Sequence, residues 1–191
     1  FVKIPFLYDI ISFTYHPKPL PRFTINGFSF PVKQNLIYKA YQLLVAHTHS
    51  KKLIDFFAYH SIEVDKNIPT MAGLGGGSSN CASFLLFCNH EFGLGLSLET
   101  LCELGGRLGS DIAFFLHGYE SANVFGAGEI IKPFEEDFVE VKLFTPSIAC
   151  DTAQVYKRYK ELGRVFFDNR KLQNELIGTS SKQILNSHEA S

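Results

Sequence analysis

Ile68-Pro-Thr-Met-Ala-Gly-Leu-Gly-Gly-Gly-Ser-Ser-Asn80 places four glycines, Gly73, Gly75, Gly76 and Gly77, within five residues and follows them at once with Ser78 and Ser79. A strand pattern over Phe56–Asp65, clearest from Tyr59, runs into this stretch, and a helical pattern from Ser79 to Phe92 runs out of it. Strand, glycine loop and helix start together form a receptor for phosphate. Glycine lets the backbone reach positive φ and lets N–H groups approach an anion with no Cβ in the way. The helix start adds unpaired N–H donors and a partial positive charge. Each charge-assisted hydrogen bond to a phosphate contributes roughly 1.5–3 kcal/mol, so several together suit a triphosphate. A flexible Gly/Ser linker is the competing reading. Against it, the loop passes within one residue into Cys81, Ala82, Phe84, Leu85, Leu86 and Cys88, which read as the buried side of a helix.

Better-known phosphate loops do not fit. No Gly-Lys-Ser/Thr follows the glycines, so this is not a Walker A loop. The residue three after Gly75 is Ser78, which departs from the dinucleotide fingerprint. Neither His-Arg-Asp nor Asp-Phe-Gly occurs, which excludes a protein kinase.

Composition narrows the remaining classes. The chain has 191 residues, 46% of them hydrophobic, with a formal net charge of −1 and a pI near 6.7. That length is enough to bury one core and begin a second. Near-neutrality gives no electrostatic reason to expect nucleic acid. No run of 18 apolar residues suggests a membrane span. The opening Phe1-Val-Lys-Ile-Pro-Phe-Leu lacks the basic start and small-residue cleavage site of a signal peptide, so a cytoplasmic protein is expected. Cys81, Cys88, Cys102 and Cys150 form no CxxC pair and read as reduced, buried thiols. The seven histidines show no metal-binding spacing, so no protein-held metal site is expected.

Taken in order, Val2–Tyr15 reads as a strand broken by Pro17, Pro19 and Pro21. Phe23–Phe30 reads as a hairpin turning at Asn26-Gly27. Asn35 caps a helix from Leu36 to about His47, with Leu36, Ala40, Leu43 and Leu44 inward. Ser97 caps a helix over Leu98–Leu108, and Ser110 or Asp111 starts a short one to Leu116, ended by Gly118. Strands follow at Tyr119–Phe125, Glu129–Ile131 and Phe138–Phe144, then a helix at Thr152–Glu161 and a weak helical signal over Lys171–Ser191. Strands before the loop and helices after it make an α+β pattern. The expected boundary lies near Glu136, dividing the chain into 1–136 and 137–191.

Two further motifs accompany the loop: Gly109-Ser-Asp-Ile-Ala-Phe-Phe115 and Gly126-Ala-Gly-Glu-Ile-Ile131. In type, order and spacing the three resemble the small-molecule kinases named for galactokinase, homoserine kinase, mevalonate kinase and phosphomevalonate kinase, the GHMP kinases. The likeness runs from about Leu7 to Tyr156. It implies an N-terminal domain of the ribosomal protein S5 domain 2 type, a ferredoxin-like C-terminal domain that is incomplete here, and an active site between them. It implies ATP and Mg²⁺, held by Pro69, Thr70, Met71, Ala72, Gly73, Leu74, Gly75, Gly76, Gly77, Ser78 and Ser79.

Asp111 taken alone is an N-cap aspartate. The resemblance makes it also the base that takes the proton from the acceptor hydroxyl, an effect of roughly 10²–10⁴-fold. Ser78 and Ser79 either cap the helix behind the loop or hydrogen-bond phosphate oxygens. Lys66 either approaches a phosphate or is a solvated lysine. Phe114 and Phe115 read as core.

The Gly-Gly-Gly-Ser-Ser-Asn run resembles most the branch whose small-molecule substrate carries a cytidine diphosphate. In that branch Thr152 and Tyr156 fall on substrate-binding positions, with Tyr156 in register to stack on the base and Ala153 standing where a proline is common. The alternatives are a homoserine or mevalonate type of kinase and a non-catalytic nucleotide sensor. A monomer or homodimer is expected. The family's Lys-x-Asn strand, its Gly-Tyr-His and its last glycine motif are not found, and Met71 is the single methionine. Further catalytic and binding residues are therefore expected outside these 191 residues.

Overall fold

The computed structural model describes residues 1–136, 140–144, 152–163 and 177–185. Its centre is a three-stranded sheet of β1 (Ile10–Tyr15), β2 (Ile25–Asn26) and β3 (His60–Asp65), in the order β1-β3-β2. β1 runs antiparallel to β3, with Phe13 opposite Ile62, and β2 runs parallel to it, with Ile25 opposite Ile62. The parallel pairing overturns the hairpin expected at Asn26-Gly27. Gly27 does have φ +93°, but a Cβ there would stand 2.0 Å from the Val64 carbonyl oxygen. Close approach of two backbones, rather than a turn, requires this glycine.

Helix α1 (Leu36–Thr48) starts as expected, with Asn35 Oδ1 accepting from the Ile37 N–H at 2.9 Å, and it ends where His49 turns left-handed. It buries Ile37, Ala40 and Leu44, while Leu36 and Leu43 are half-buried. Helix α2 (Lys51–Tyr59) replaces the first part of the strand expected at Phe56. Ser50 caps it, and Leu53 and Phe57, four apart, supply its buried stripe. Helix α3 (Gly76–Glu91) buries Cys81, Ala82, Phe84, Leu85 and Cys88, but Leu86 faces solvent. Helices α4 (Leu98–Gly106) and α5 (Ile112–His117) follow, then the antiparallel hairpin β4 (Ala122–Phe125) and β5 (Ile130–Pro133).

The inner face of the sheet and the five helices share one apolar core. Ile25, Ile62 and Val64 meet Leu44, Leu53, Phe57, Phe84, Leu85, Leu101 and Ile112 there. Aromatic rings dominate its sheet side: Phe13 stacks on Phe87 at 4.4 Å between centroids, and Phe57 packs on Phe84 and Phe92. Burial pushes the Cys81 thiol up to about 12 and the Cys88 thiol higher still, so both stay protonated. Cys150 lies outside the described residues.

Toward the N-terminus the expected strand is shorter. Only Ile10–Tyr15 is strand, and Val2 makes an isolated bridge to Ser121. Toward the C-terminus, α6 (Thr152–Glu161) forms as expected, and α7 (Ser181–Leu185) is a short part of the Lys171–Ser191 signal. Residues 140–144 are irregular where a strand was expected, and Phe138 lies outside the described residues. Among the described residues no helix is long and apolar enough to cross a membrane.

Candidate active site

The glycine loop leaves β3 at Lys66 and enters α3 at Gly76. Pro69, Thr70, Met71, Ala72 and Gly73 are exposed, and Leu74 and Gly75 are half-buried. Gly73 and Gly75 adopt φ of +72° and +67°, and Met71 also turns left-handed at +59°. Gly75 is the N-cap of α3 and has no side chain to cap with. Its carbonyl accepts the Ser79 N–H at 2.8 Å. Among the described residues nothing takes the N–H groups of Gly76, Gly77 and Ser78. They are the orphan donors of a helix start. Ser78 and Ser79 therefore lie inside the first turn and do not cap it, contrary to one of the two expectations for them.

The three motifs pack on one another. A Cβ on Gly75 would stand 3.1 Å from the Phe115 ring, one on Gly109 would stand 3.7 Å from Ser78 Oγ, and one on Gly128 would stand 2.2 Å from the Ser110 carbonyl oxygen. The first glycine loop thus leans on the second motif, and the third motif presses on the turn that presents Asp111. A cavity of about 390 Å³ opens between the first two motifs, lined by Gly73, Leu74, Gly75, Ser79 and Asp111 with Phe114, Phe115 and the segment Phe1–Ile4. Phe114 is buried; Phe115 is half-buried, its ring against the loop.

Asp111 does not cap α5. Its backbone is helical, its side chain makes no capping bond, and Oδ1 instead accepts the Ser110 hydroxyl at 3.0 Å. The N-cap half of its expected double role is thereby removed. Asp111 is half-buried and lines the cavity.

Lys66 is not a free solvated lysine. Its ammonium pairs with Asp9, a residue that sequence reasoning passed over. Asp9 Oδ1 also accepts the N–H groups of Asn67 and Ile68, each at 2.8 Å, and Oδ2 accepts the Asn80 amide at 2.8 Å. Burial alone would raise the Asp9 carboxyl, but Lys66, Ile68, Asn80 and Asn67 together hold it below the ordinary aspartate value. The residue was hidden because its partners lie 57–71 positions along the chain. Thr152 and Tyr156 stand in the first and second turns of α6, and their side chains lie outside the description. Among the described residues no group of three His, Cys, Asp or Glu is arranged to hold a metal ion.

Residues 35–119 match the GHMP kinases N terminal domain. These residues form a GHMP kinase N-terminal domain. Among curated relatives, the 4-diphosphocytidyl-2-C-methyl-D-erythritol kinase of Sulfurimonas denitrificans is 41% identical over 167 residues, covering 84% of this chain and 62% of that protein. The enzyme of the same name from Campylobacter jejuni subsp. doylei is 48% identical over 147 residues, covering 77% and 56%. That from Helicobacter acinonychis is 42% identical over 162 residues, covering 81% and 59%. The chain spans about six-tenths of the length of the curated relatives it matches. A crystal structure of 4-(cytidine 5'-diphospho)-2C-methyl-D-erythritol kinase matches with a TM-score of 0.53 at 23% identity, covering 82% of this chain and 59% of that one. The likeness confirms the α+β GHMP kinase fold.

Proposed function

We propose that the protein phosphorylates the 2-hydroxyl of 4-diphosphocytidyl-2-C-methyl-D-erythritol with ATP, as a cytoplasmic step toward isoprenoid precursors by the non-mevalonate route. The observation that carries this reading is the shared cavity, in which Asp111 meets Gly73, Gly75 and Ser79. An anion receptor and a carboxylate base on one small space are what phosphoryl transfer to an alcohol needs. Little covalent chemistry falls to the protein, and most of the acceleration comes from position and charge.

In this reading residues 69–79 hold the triphosphate. The N–H groups of Gly76, Gly77 and Ser78 point their unpaired hydrogens toward it, and a side chain at Gly75 or Gly76 would collide with Phe115 or Ile68. The donors fit an ATP phosphate chain. Ser79 and Asp111, which line the same cavity, would supply oxygen donors for magnesium carried on that chain, and the ion would neutralise its charge. Asp111 takes the proton from the acceptor hydroxyl as the oxygen attacks the γ-phosphorus, the bond from that phosphorus to the β,γ-bridging oxygen breaks, and ADP leaves. Thr152 and Tyr156 on α6 serve the substrate, Tyr156 by stacking on the cytosine, which gives roughly 1–3 kcal/mol. Residues 1–136 form the ATP-binding domain, residues 137–191 begin the second domain, and the protein works as a monomer or homodimer.

The test is transfer of labelled γ-phosphate from ATP to 4-diphosphocytidyl-2-C-methyl-D-erythritol, with homoserine and mevalonate as competing acceptors. Product from the diphosphocytidyl alcohol alone is expected. Product from another acceptor would move the protein to a different branch of the family. ATP binding with no transfer to any acceptor would make it a sensor.

A further inference from the structure

The loop that carries the glycines is held at both ends by one side chain outside it. Asp9 stands one residue ahead of β1, and its carboxylate has no solvent exposure. Its four donors come from both stems of the loop. Lys66, Asn67 and Ile68 belong to the chain leaving β3, and Asn80 to the second turn of α3. Between the stems Pro69–Gly73 are exposed, so the shape of the loop depends on where it is anchored. Lys66 carries a second consequence. A Cβ on Gly76 would stand 3.4 Å from its ammonium, so the partner that holds Lys66 also decides where a positive charge stands against the start of α3.

A buried carboxylate is costly to desolvate, and an apolar group of the same volume often stabilises a fold as well or better. Its value here is geometrical. We propose that Asp9 is the positioning residue of the phosphate loop: one buried carboxylate sets the separation of the loop's two stems and holds the glycines open to an anion before a nucleotide arrives. This rests on the reading of the loop as the ATP site, and it accounts for pre-organisation without contact between Asp9 and the nucleotide.

The test begins with Asp9→Asn. Asparagine keeps an oxygen for the Asn67 and Ile68 N–H groups, but turns an amide NH₂ toward the Lys66 ammonium, which only donates, and toward the NH₂ that Asn80 presents there. The affinity for an imido-bridged ATP analogue, measured by calorimetry, is expected to weaken about tenfold or more, because small misplacements of a binding group are amplified. KM for ATP should rise in step, while KM for the acceptor alcohol stays within about twofold. Adding Asn80→Asp returns a carboxylate across the same hydrogen bond and is expected to bring the affinity back to within about threefold of the parent.

A merely structural role would lower the melting temperature and affect both substrates alike, and that result overturns the inference. If Asp9→Asn does not fold, Asn80→Ala unties the α3 stem and leaves the Lys66 pair intact. It is expected to weaken analogue binding about threefold to tenfold with a native circular dichroism spectrum. A folded variant that binds the analogue within about twofold of the parent overturns the inference alone. A parent protein that does not bind the analogue overturns the ATP reading, and the inference falls with it.

Discussion

The five helices of the core, α1 to α5, begin in two ways. In α1, α2 and α4 a side chain closes the start: Asn35 accepts from Ile37, Ser50 from Leu53 and Ser97 from Thr100. In α3 and α5 no side chain does so, and these are the two helices whose starts line the cavity. A side-chain cap satisfies one of the orphan donors of a helix start and leaves fewer to offer a ligand. An uncapped start keeps its N–H groups and its partial charge for something else. The difference separates helix ends that serve the fold from helix ends available to a substrate.

The largest expected effect falls on α5. Asp111→Asn should lower kcat by roughly 10²–10⁴ and leave the Kd of an unreactive ATP analogue within about twofold. Because Asp111 makes no capping bond, Asp111→Ala should also melt close to the parent. A loss of the ~1 kcal/mol that a cap contributes would erase the contrast between α5 and α4. At α3, Gly75→Val places a β-branched residue at φ +67° with its Cβ 3.1 Å from Phe115. It should abolish measurable analogue binding and cost about 2 kcal/mol in chemical denaturation.

A paired serine experiment sharpens the comparison further. Ser97→Ala should cost about 1 kcal/mol of stability and leave ATP affinity unchanged, whereas Ser79→Ala should weaken ATP affinity with little change in stability. The reverse pattern would assign the two starts wrongly. The smallest effect is on acid stability. The folded Asp9 carboxyl titrates below its ordinary value, so its contribution is fully present above the unfolded pKa and is lost as pH falls through the lower, folded one. The parent should therefore lose stability more steeply in acid than Asp9→Asn, as denaturant midpoints across the acid range would report.

Local chemistry was legible in the sequence and distant chemistry was not. The glycine loop, the helix behind it and the caps at Asn35 and Ser97 are decided within a few residues, and each was readable. Helix α2 was missed because Phe56, Phe57 and Tyr59 carry strand propensity, while its buried pair Leu53 and Phe57 and its cap Ser50 are a weaker signal. Asn26-Gly27 resembled a turn, but Gly27 answers to Val64, a residue 37 positions on. Asp9 gave no signal, since a carboxylate between Tyr8 and Ile10 becomes informative only when burial and four distant donors surround it. The three motifs could be placed in order from the sequence. That Phe115 and Ser110 are the surfaces on which the glycines rest required coordinates.

The strand order has a consequence for how the protein reaches this state. β3 sits between strands that precede it by 35 and 50 positions, with α1 and α2 lying in the interval. Helices close local contacts within about a microsecond, whereas a central strand must wait for long loops to close on either side of it. The bonds from Asp9 to Ile68 and Asn80 span 59 and 71 positions and belong to that slower class. Refolding should therefore restore helical signal first and the anchored glycine loop last, so a newly made chain passes through an interval in which it is largely helical while the two stems of that loop are still untied.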